Sequence, residues 1–200
     1  MTDLLLRALD PSEWREAASL LSRSMCANPV NVRAFGLESG PREKALLRFF
    51  GPVVRGLQQR GSILAAVRRT TIVGVCGMAG PGRCQPTMGE KLRILPAVVI
   101  GNAVSVPLRV LRWTGEWARR DPEEPHWHLG PVAVEPDLQG QGIGGAMVAN
   151  FCAQMKERRA LSYLETDKSE NVRFYERFGY TVLAEGLVLE VPNWFMMRRP

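Results

Sequence analysis

Two hydrophobic rhythms alternate along the chain. Short apolar or alternating runs predict strands at "DLLLRAL" (3–9), "SILAAVR" (62–68), "TIVGVCGMA" (71–79), "HWHLGPVAV" (126–134), "LSYLET" (161–166), "TVLAEGLVLEV" (181–191) and "NWFMMRR" (193–199). The second and third are separated only by a short turn, which predicts an antiparallel hairpin. Helical spacing appears elsewhere. Asp10 followed by Pro11 is a capping side chain before a proline at the first helical position, and the helix it starts carries Trp14, Ala17, Leu20 and Leu21 on one face. A second helix fits "PREKALLRFFGPVVRGLQQ", with a break or kink expected at Gly51-Pro52. A third, over 142–160, carries Ile143, Met147, Phe151 and Met155 as one stripe. A short helix over 169–180 is closed by Gly179.

Residues 80–125 fit neither rhythm cleanly. They hold several prolines and the apolar stretch "ILPAVVIGNAVSVPL" (94–108), then an amphipathic segment at 109–120. So long a connection is usually functional or disordered, and its apolar content requires it to fold against something. The expectation is a single domain of 1–200 with an insertion at about 80–125 that forms a lid or pocket wall; extra packing layers with no role in substrate binding are the alternative.

Composition narrows the class without choosing a function. Apolar residues make up 46% and charged residues 23% of 200, which suits a globular domain with a real core. The net charge of +6 favours anionic partners, yet the basic residues occur as scattered pairs rather than in the runs that mark nucleic-acid tails, so no nucleic-acid partner is expected. The apolar stretch is too short for a membrane span and is broken by Pro96, Asn102 and Pro107, so no membrane partner is expected either. Cys26, Cys76, Cys84 and Cys152 form no C-x-x-C pair, which predicts no metal site and no disulfide framework. The amino-terminal residues do not resemble a signal peptide, and a cytoplasmic location follows.

The most informative stretch is "DLQGQGIGGAM", in which Gly140, Gly142 and Gly145 spell G-x-G-x-x-G. A dinucleotide-binding reading is supported by the preceding strand, the following helix and an acid, Glu165, at the end of the next strand. Three features oppose it. "EPDLQ" separates strand from glycines, only one short helix and a hairpin follow, and the preceding elements are a helical pair and a hairpin instead of strand–helix alternation. The physics of the motif survives the change of label. Glycines at a helix start leave backbone N–H groups free and allow close approach, which makes an anion site for a pyrophosphate-bearing ligand. Tight packing of helix on sheet is the alternative reading of Gly144 and Gly145.

"VAVEPDLQGQGIGGAMV" resembles the acyl-coenzyme A segment of the GNAT superfamily of N-acetyltransferases, whose Q/R-x-x-G-x-G/A pattern is met by Gln139, Gly142 and Gly144. "NVRFYERFGY" resembles a second segment of that superfamily, through Asn171, Tyr175 and Gly179. "EPHWHLGPVAVEPDLQGQGIG" and "PNWFMMRRP" are similar to its puromycin-acetyltransferase-like branch. The resemblance implies an α/β (α+β) fold: a mixed, mostly antiparallel central sheet with helices on both faces. In it, parallel strands 126–134 and 161–166 splay apart, and Gly130-Pro131 marks a bulge. Acetyl-CoA is the implied co-substrate. Its pantetheine arm would pair with Val132, Ala133 and Val134, its pyrophosphate would rest on the amides of Gln139, Gly140, Gln141, Gly142, Ile143, Gly144 and Gly145, and Asn171 and Tyr175 would face it. Tyr175 is the implied proton donor to the leaving thiolate. The base is open. His126 and His128 share one strand face, Glu165 is a second candidate, and Glu123 and Glu124 are looser ones. The implied activity is acetyl transfer to a primary amine, with a small-molecule or peptide acceptor and a homodimer among the admitted assemblies. A non-catalytic acyl-CoA-binding or sensing module on the same fold is the alternative, and a dinucleotide binder the remote one.

Overall fold

Asp10 and Glu13 start the first helical segment through a reciprocal pair of bonds. The Asp10 carboxylate accepts from Ser12 N at 2.8 Å, and the Glu13 carboxylate accepts from Asp10 N at 2.9 Å. Behind this cap a short 3-10 turn leads into α1 (Trp14–Ser24), which buries Ala17, Leu20 and Leu21 as its spacing predicts. The structure, a computed structural model, describes residues 4–200. Strand β1 spans Leu4–Ala8; Asp3, the first residue of the expected strand, lies outside the described residues.

Two features of the helical pair depart from expectation. A further helix, α2 (Pro29–Phe35), begins at a proline and ends at Gly36, whose φ of 114° no side-chain residue adopts easily. At seven residues it is too short to show a period. The following α3 (Ser39–Arg60) continues through Gly51-Pro52, so of the break or kink expected there the break does not occur. Packing overrides the lost bond there: Phe49, Phe50, Val54 and Leu57 are all buried on one side, and a Cβ at Gly51 would already sit 3.3 Å from the Trp14 ring.

Strands β2 (Gly61–Arg68) and β3 (Thr71–Ala79) form the expected antiparallel hairpin. Residues 80–125 then fold as two helices, α4 (Met88–Val99) and α5 (Ser105–Ala118), where one was expected. Thr87 and Glu90 form a second capping box at the start of α4. Pro107 lies in the first turn of α5, where its missing N–H would have no partner anyway. The remaining elements follow the predicted order: β4 (His126–Val134), α6 (Ile143–Glu157), β5 (Leu161–Thr166), α7 (Ser169–Glu176), β6 (Thr181–Val188) and β7 (Val191–Arg198).

The seven strands make one sheet in the order β1-β2-β3-β4-β5-β7-β6, antiparallel except for β4 and β5. This is the mixed, mostly antiparallel sheet the sequence resemblance implied. Helices α1–α5 cover one face, over a core that includes Ala65, Val75, Ala133 and Tyr163. Helices α6 and α7 cover the other, over Ala66, Cys76, Val134 and Leu164. The Ile143–Met147–Phe151–Met155 stripe lies wholly in that second core, each side chain at most 2% exposed and worth roughly 1.5–3 kcal/mol of burial.

Candidate active site

Parallel pairing of β4 with β5 lasts for only three residue pairs: His126 with Leu161, Trp127 with Ser162, and His128 with Tyr163. Beyond them β4 stays with β3 as far as Val134, and β5 stays with β7 as far as Thr166. A gap therefore opens in mid-sheet between 129–134 and 164–166. The bulge expected at Gly130-Pro131 is present, as a register shift between Cys76 and Met78 opposite it. Gly77 allows that close approach: a Cβ there would lie 2.5 Å from Gly130 O and from a methyl of Leu57.

The edge of β4 that lines the gap is polar backbone. Glu135 N donates to Val73 O at 2.9 Å, so the alternation of an antiparallel ladder turns Ala133 toward β3 and the backbone groups of Val132 and Val134 away from it. The Val134 carbonyl is taken by the Gln139 side-chain amide at 3.2 Å. Of the three residues expected to meet a pantetheine arm, Val132 and Val134 present their N–H groups to the gap, and Ala133 packs beneath α1–α5.

Beyond the gap the chain enters α6 through the glycines. Gly140 and Gly142 have φ of 77° and 82°, left-handed values that account for glycine at both positions. Gly144 and Gly145 have a different reason. A Cβ at Gly144 would meet Val134 at 3.6 Å and one at Gly145 would meet Phe178 at 3.8 Å, ordinary contacts, so packing on the sheet does not demand glycine at either. The first bond of α6 is Ala146 N to Gly142 O at 2.9 Å, and the helix has no side-chain cap. Among the described residues, no acceptor takes the amides of Gly140 through Gly145. Six N–H groups at the positive end of a helix dipole make a cradle for an anion. The side chains play other parts: Gln141 accepts from Arg68 at 3.1 Å, and Ile143 is buried in the core.

Two sets of titratable groups flank the gap on opposite faces of the sheet. On the α1–α5 face, His128 Nε2 lies 2.9 Å from Glu165 Oε2. Alternation along β5 places Glu165 beside Tyr163, and both histidine rings stand edge-on to the Tyr163 ring, at 5.4 Å for His126 and 5.8 Å for His128. The second atoms of the pair, His128 Nδ1 and Glu165 Oε1, are buried without a partner. Burial opposes charge on His128, but the Glu165 carboxylate outweighs it and raises the imidazole above its ordinary pKa. His126 is held elsewhere. Its Nε2 lies 3.1 Å from Asp121 and its Nδ1 2.8 Å from Glu124 O. Burial again opposes its charge, yet Asp121 pushes its pKa up to about 10. Two of the candidate bases, His128 and Glu165, thus form one dyad, and His126 stands apart from it. Glu124 offers only its backbone carbonyl to His126, while its carboxylate faces Arg199.

On the α6–α7 face, Tyr175 is the most buried residue of α7 and belongs to the core with Cys76 and Tyr180. Phe174 and Phe178, beside the start of α6, pack against the same core but are only partly buried, so Tyr175 is the more deeply buried side chain. The Tyr175 hydroxyl has no hydrogen bond among the described residues, and burial raises its pKa, keeping the proton on. Asn171 donates to Thr166 Oγ1 at 3.1 Å, which anchors α7 to the end of β5. Sequence reasoning missed Asp121, and also Asp167, whose carboxylate accepts from Val30 N at 2.8 Å and fixes the start of α2 beside the gap. Neither belongs to a motif. The aromatics Trp113 and Trp117 pack edge to face at 5.2 Å in the core, and Trp127 carries Arg158 over its ring. Among the described residues, no cluster of three or more histidine, cysteine or acidic side chains could hold a metal ion, all four cysteines are free, and no helix is long and apolar enough to cross a membrane.

The sequence model of the Acetyltransferase (GNAT) family matches residues 39–180. Among solved structures, the chain is similar to the histone acetyltransferase HPA2 and related acetyltransferase from Corynebacterium glutamicum, with a TM-score of 0.76 at 20% identity over 100% of this chain and 97% of that one. It is similar to the polyamine N-acetyltransferase of Drosophila melanogaster, at 0.63 and 16%, over 99% and 100% of the two chains. A GNAT family acetyltransferase from Brucella melitensis, solved in complex with acetyl-CoA, aligns at 0.55 and 16% over 100% and 89%. At these identities the likeness is one of fold.

Proposed function

The chain belongs to the GNAT acetyltransferase family, and on that premise we propose that it moves an acetyl group from acetyl-CoA to a primary amine by direct attack. The observation that supports this reading is that a His–Glu pair and a tyrosine hydroxyl lie on opposite faces of the sheet at one gap, as a proton acceptor and a proton donor would. The His128–Glu165 dyad lies on one side and the Tyr175 hydroxyl on the other.

The residues fit the co-substrate. The free amides of Gly140 through Gly145 would hold the pyrophosphate, and the unpaired edge of β4 at Val132 and Val134 would pair with the pantetheine amides. Acetyl-CoA supplies the activated acyl carbon. The amine approaches from the α1–α5 face and gives up a proton to His128, whose charged form Glu165 stabilises. Nitrogen bonds to the acyl carbon as the carbon–sulfur bond breaks. A β4 amide stabilises charge on the acyl oxygen, and Tyr175 gives its proton to sulfur. The inward faces of helices α4 and α5 serve as a wall on the acceptor side. Arg109 ties α5 to Ala34 O at 3.0 Å, and Trp117 ties it to Asn193 at 3.1 Å.

The acceptor is a small-molecule or peptide amine. The four free cysteines suit a cytoplasmic location, and a homodimer is compatible with the fold. The deciding experiment is thiol release from acetyl-CoA with a panel of amines. Amine-dependent release with an acetylated product supports the enzyme. Tight acetyl-CoA binding without release under any amine supports the sensing module instead. A dinucleotide binder would need a series of parallel strands, and this sheet has one parallel pair.

A further inference from the structure

Helices α4 and α5 bury one face and leave the other apolar. Ile94 and Val98 on α4, and Val106, Val110 and Trp113 on α5, pack inward. Outward, α4 exposes Leu92, Leu95 and Val99, spaced three and four apart on one stripe. The turn adds Ile100. On α5 the exposed stripe is Val104 (88% exposed), Leu108 (66%) and Leu111 (69%). The outer surface of the hairpin and its turn is therefore aliphatic. Isolated exposed leucines are normal on proteins, but a run of this kind is not.

Charge on the same segment is one-sided. Between Met88 and Ala118 the basic residues are Lys91, Arg93, Arg109 and Arg112, and the acids are Glu90 and Glu116, the second paired with Arg119 and Arg120 at the far end of α5. Glu90 is buried and paired with Arg60 at 3.0 Å, so it contributes nothing to the outer surface. Lys91 and Arg112 have no acidic partner among the described residues. A second copy of this chain docking through the same patch would bring these cations against their own equivalents. A flat, anionic and apolar surface meets both properties at once.

We propose that the α4–α5 hairpin docks peripherally on anionic phospholipid membrane, its aliphatic face in the headgroup–acyl boundary and its lysine and arginines against lipid phosphates. At 12 and 14 residues the helices are too short to span the hydrocarbon, so they lie along it. The absence of a membrane partner expected from the sequence is narrowed accordingly to the absence of a spanning helix among the described residues.

The test is co-sedimentation of the full chain with vesicles of phosphatidylglycerol and phosphatidylcholine in equal parts, against vesicles of phosphatidylcholine alone. The expected result is at least about tenfold stronger binding to the anionic vesicles, weakened by salt. The double substitution Val104→Ser and Leu108→Ser should lower that binding about tenfold or more, with melting temperature and thiol release from acetyl-CoA unchanged. Lys91→Glu with Arg112→Glu should abolish the preference for anionic lipid. Binding equal on both vesicles, no binding to either, or a dimer in sedimentation velocity that the serine pair dissociates would each overturn the proposal.

Discussion

The His128 imidazole and the Glu165 carboxylate meet at 2.9 Å across two strands that have just ceased to pair. That contact places a buried proton-accepting pair at the mouth of the gap in the sheet. It also leaves one nitrogen and one oxygen of the pair buried without a partner.

On the opposite face, Tyr175→Phe keeps the ring that packs against Tyr180 at 5.8 Å and removes only the hydroxyl. The turnover number for acetyl transfer should fall about 10²–10⁴-fold, with the dissociation constant for acetyl-CoA changed little. Steady-state kinetics with parallel calorimetry separate the two. A loss confined to acetyl-CoA affinity would make Tyr175 a packing residue.

Gly144→Ala distinguishes close ligand approach from helix packing. The new methyl meets Val134 at an ordinary 3.6 Å, and alanine favours a helix over glycine by about 1 kcal/mol, so thermal stability should hold or rise. If the proposed pyrophosphate cradle needs bare backbone at this position, affinity for acetyl-CoA should fall about tenfold. A melting temperature that drops while affinity stays intact would reverse the assignment.

Asp121→Asn removes the partner that holds His126 charged. A histidine whose pKa is raised in the folded state stabilises that state fully below its unfolded value near 6.5, and the stabilisation is lost as pH rises through about 10. The substitution should therefore cost about 2–3 kcal/mol at neutral pH, with the deficit shrinking toward zero above pH 10, as read by chemical denaturation across pH. A deficit that persists unchanged into strong alkali would assign Asp121 a role independent of His126.

Gly77→Ala tests the bulge. A methyl at 2.5 Å from Gly130 O must push β3 and β4 apart, at a cost of about 1–3 kcal/mol. Because the bulge also aims the Val132 amide, the turnover number should fall along with stability, which circular-dichroism melting and thiol release measure on the same sample. Full activity at reduced stability would disconnect the bulge from catalysis.

The fold was legible where local chemistry and tertiary packing agree. The Asp10-Pro11 cap, the Ile143–Met155 stripe and the β2–β3 hairpin all appear where their patterns place them. It was illegible where packing overrides a local rule, as at Pro52 inside α3, or where an element is too short for a period, as in α2. Residues 80–125 misled because two of their prolines are accommodated by helices, Pro96 within α4 and Pro107 in the first turn of α5. In the site, the glycine cradle could be read because backbone conformation writes itself into residue type. The His128–Glu165 contact could not, since it depends on the register of two distant strands; the one available signal was that Glu165 shares a strand face with the partner of His128. Tyr175 was found by its motif, but its burial beyond that of Phe174 and Phe178 was not, because the periodicity of an eight-residue helix does not decide between a phenylalanine and a tyrosine as the more buried side chain.

The dyad as proton acceptor is tested most directly by the pH dependence of kcat/KM, using an acceptor amine whose own pKa lies well below the range studied. The raised pKa of His128 predicts an acid limb with its midpoint above 6.5 in the natural protein, since the neutral imidazole is the active form. In Glu165→Gln the main raising group is gone, and burial with the charge on His126 opposes the weaker pull of Asp121, so the midpoint should move down in pH while the plateau falls about 10²-fold or more. An acid limb at the same pH in both proteins would contradict the account.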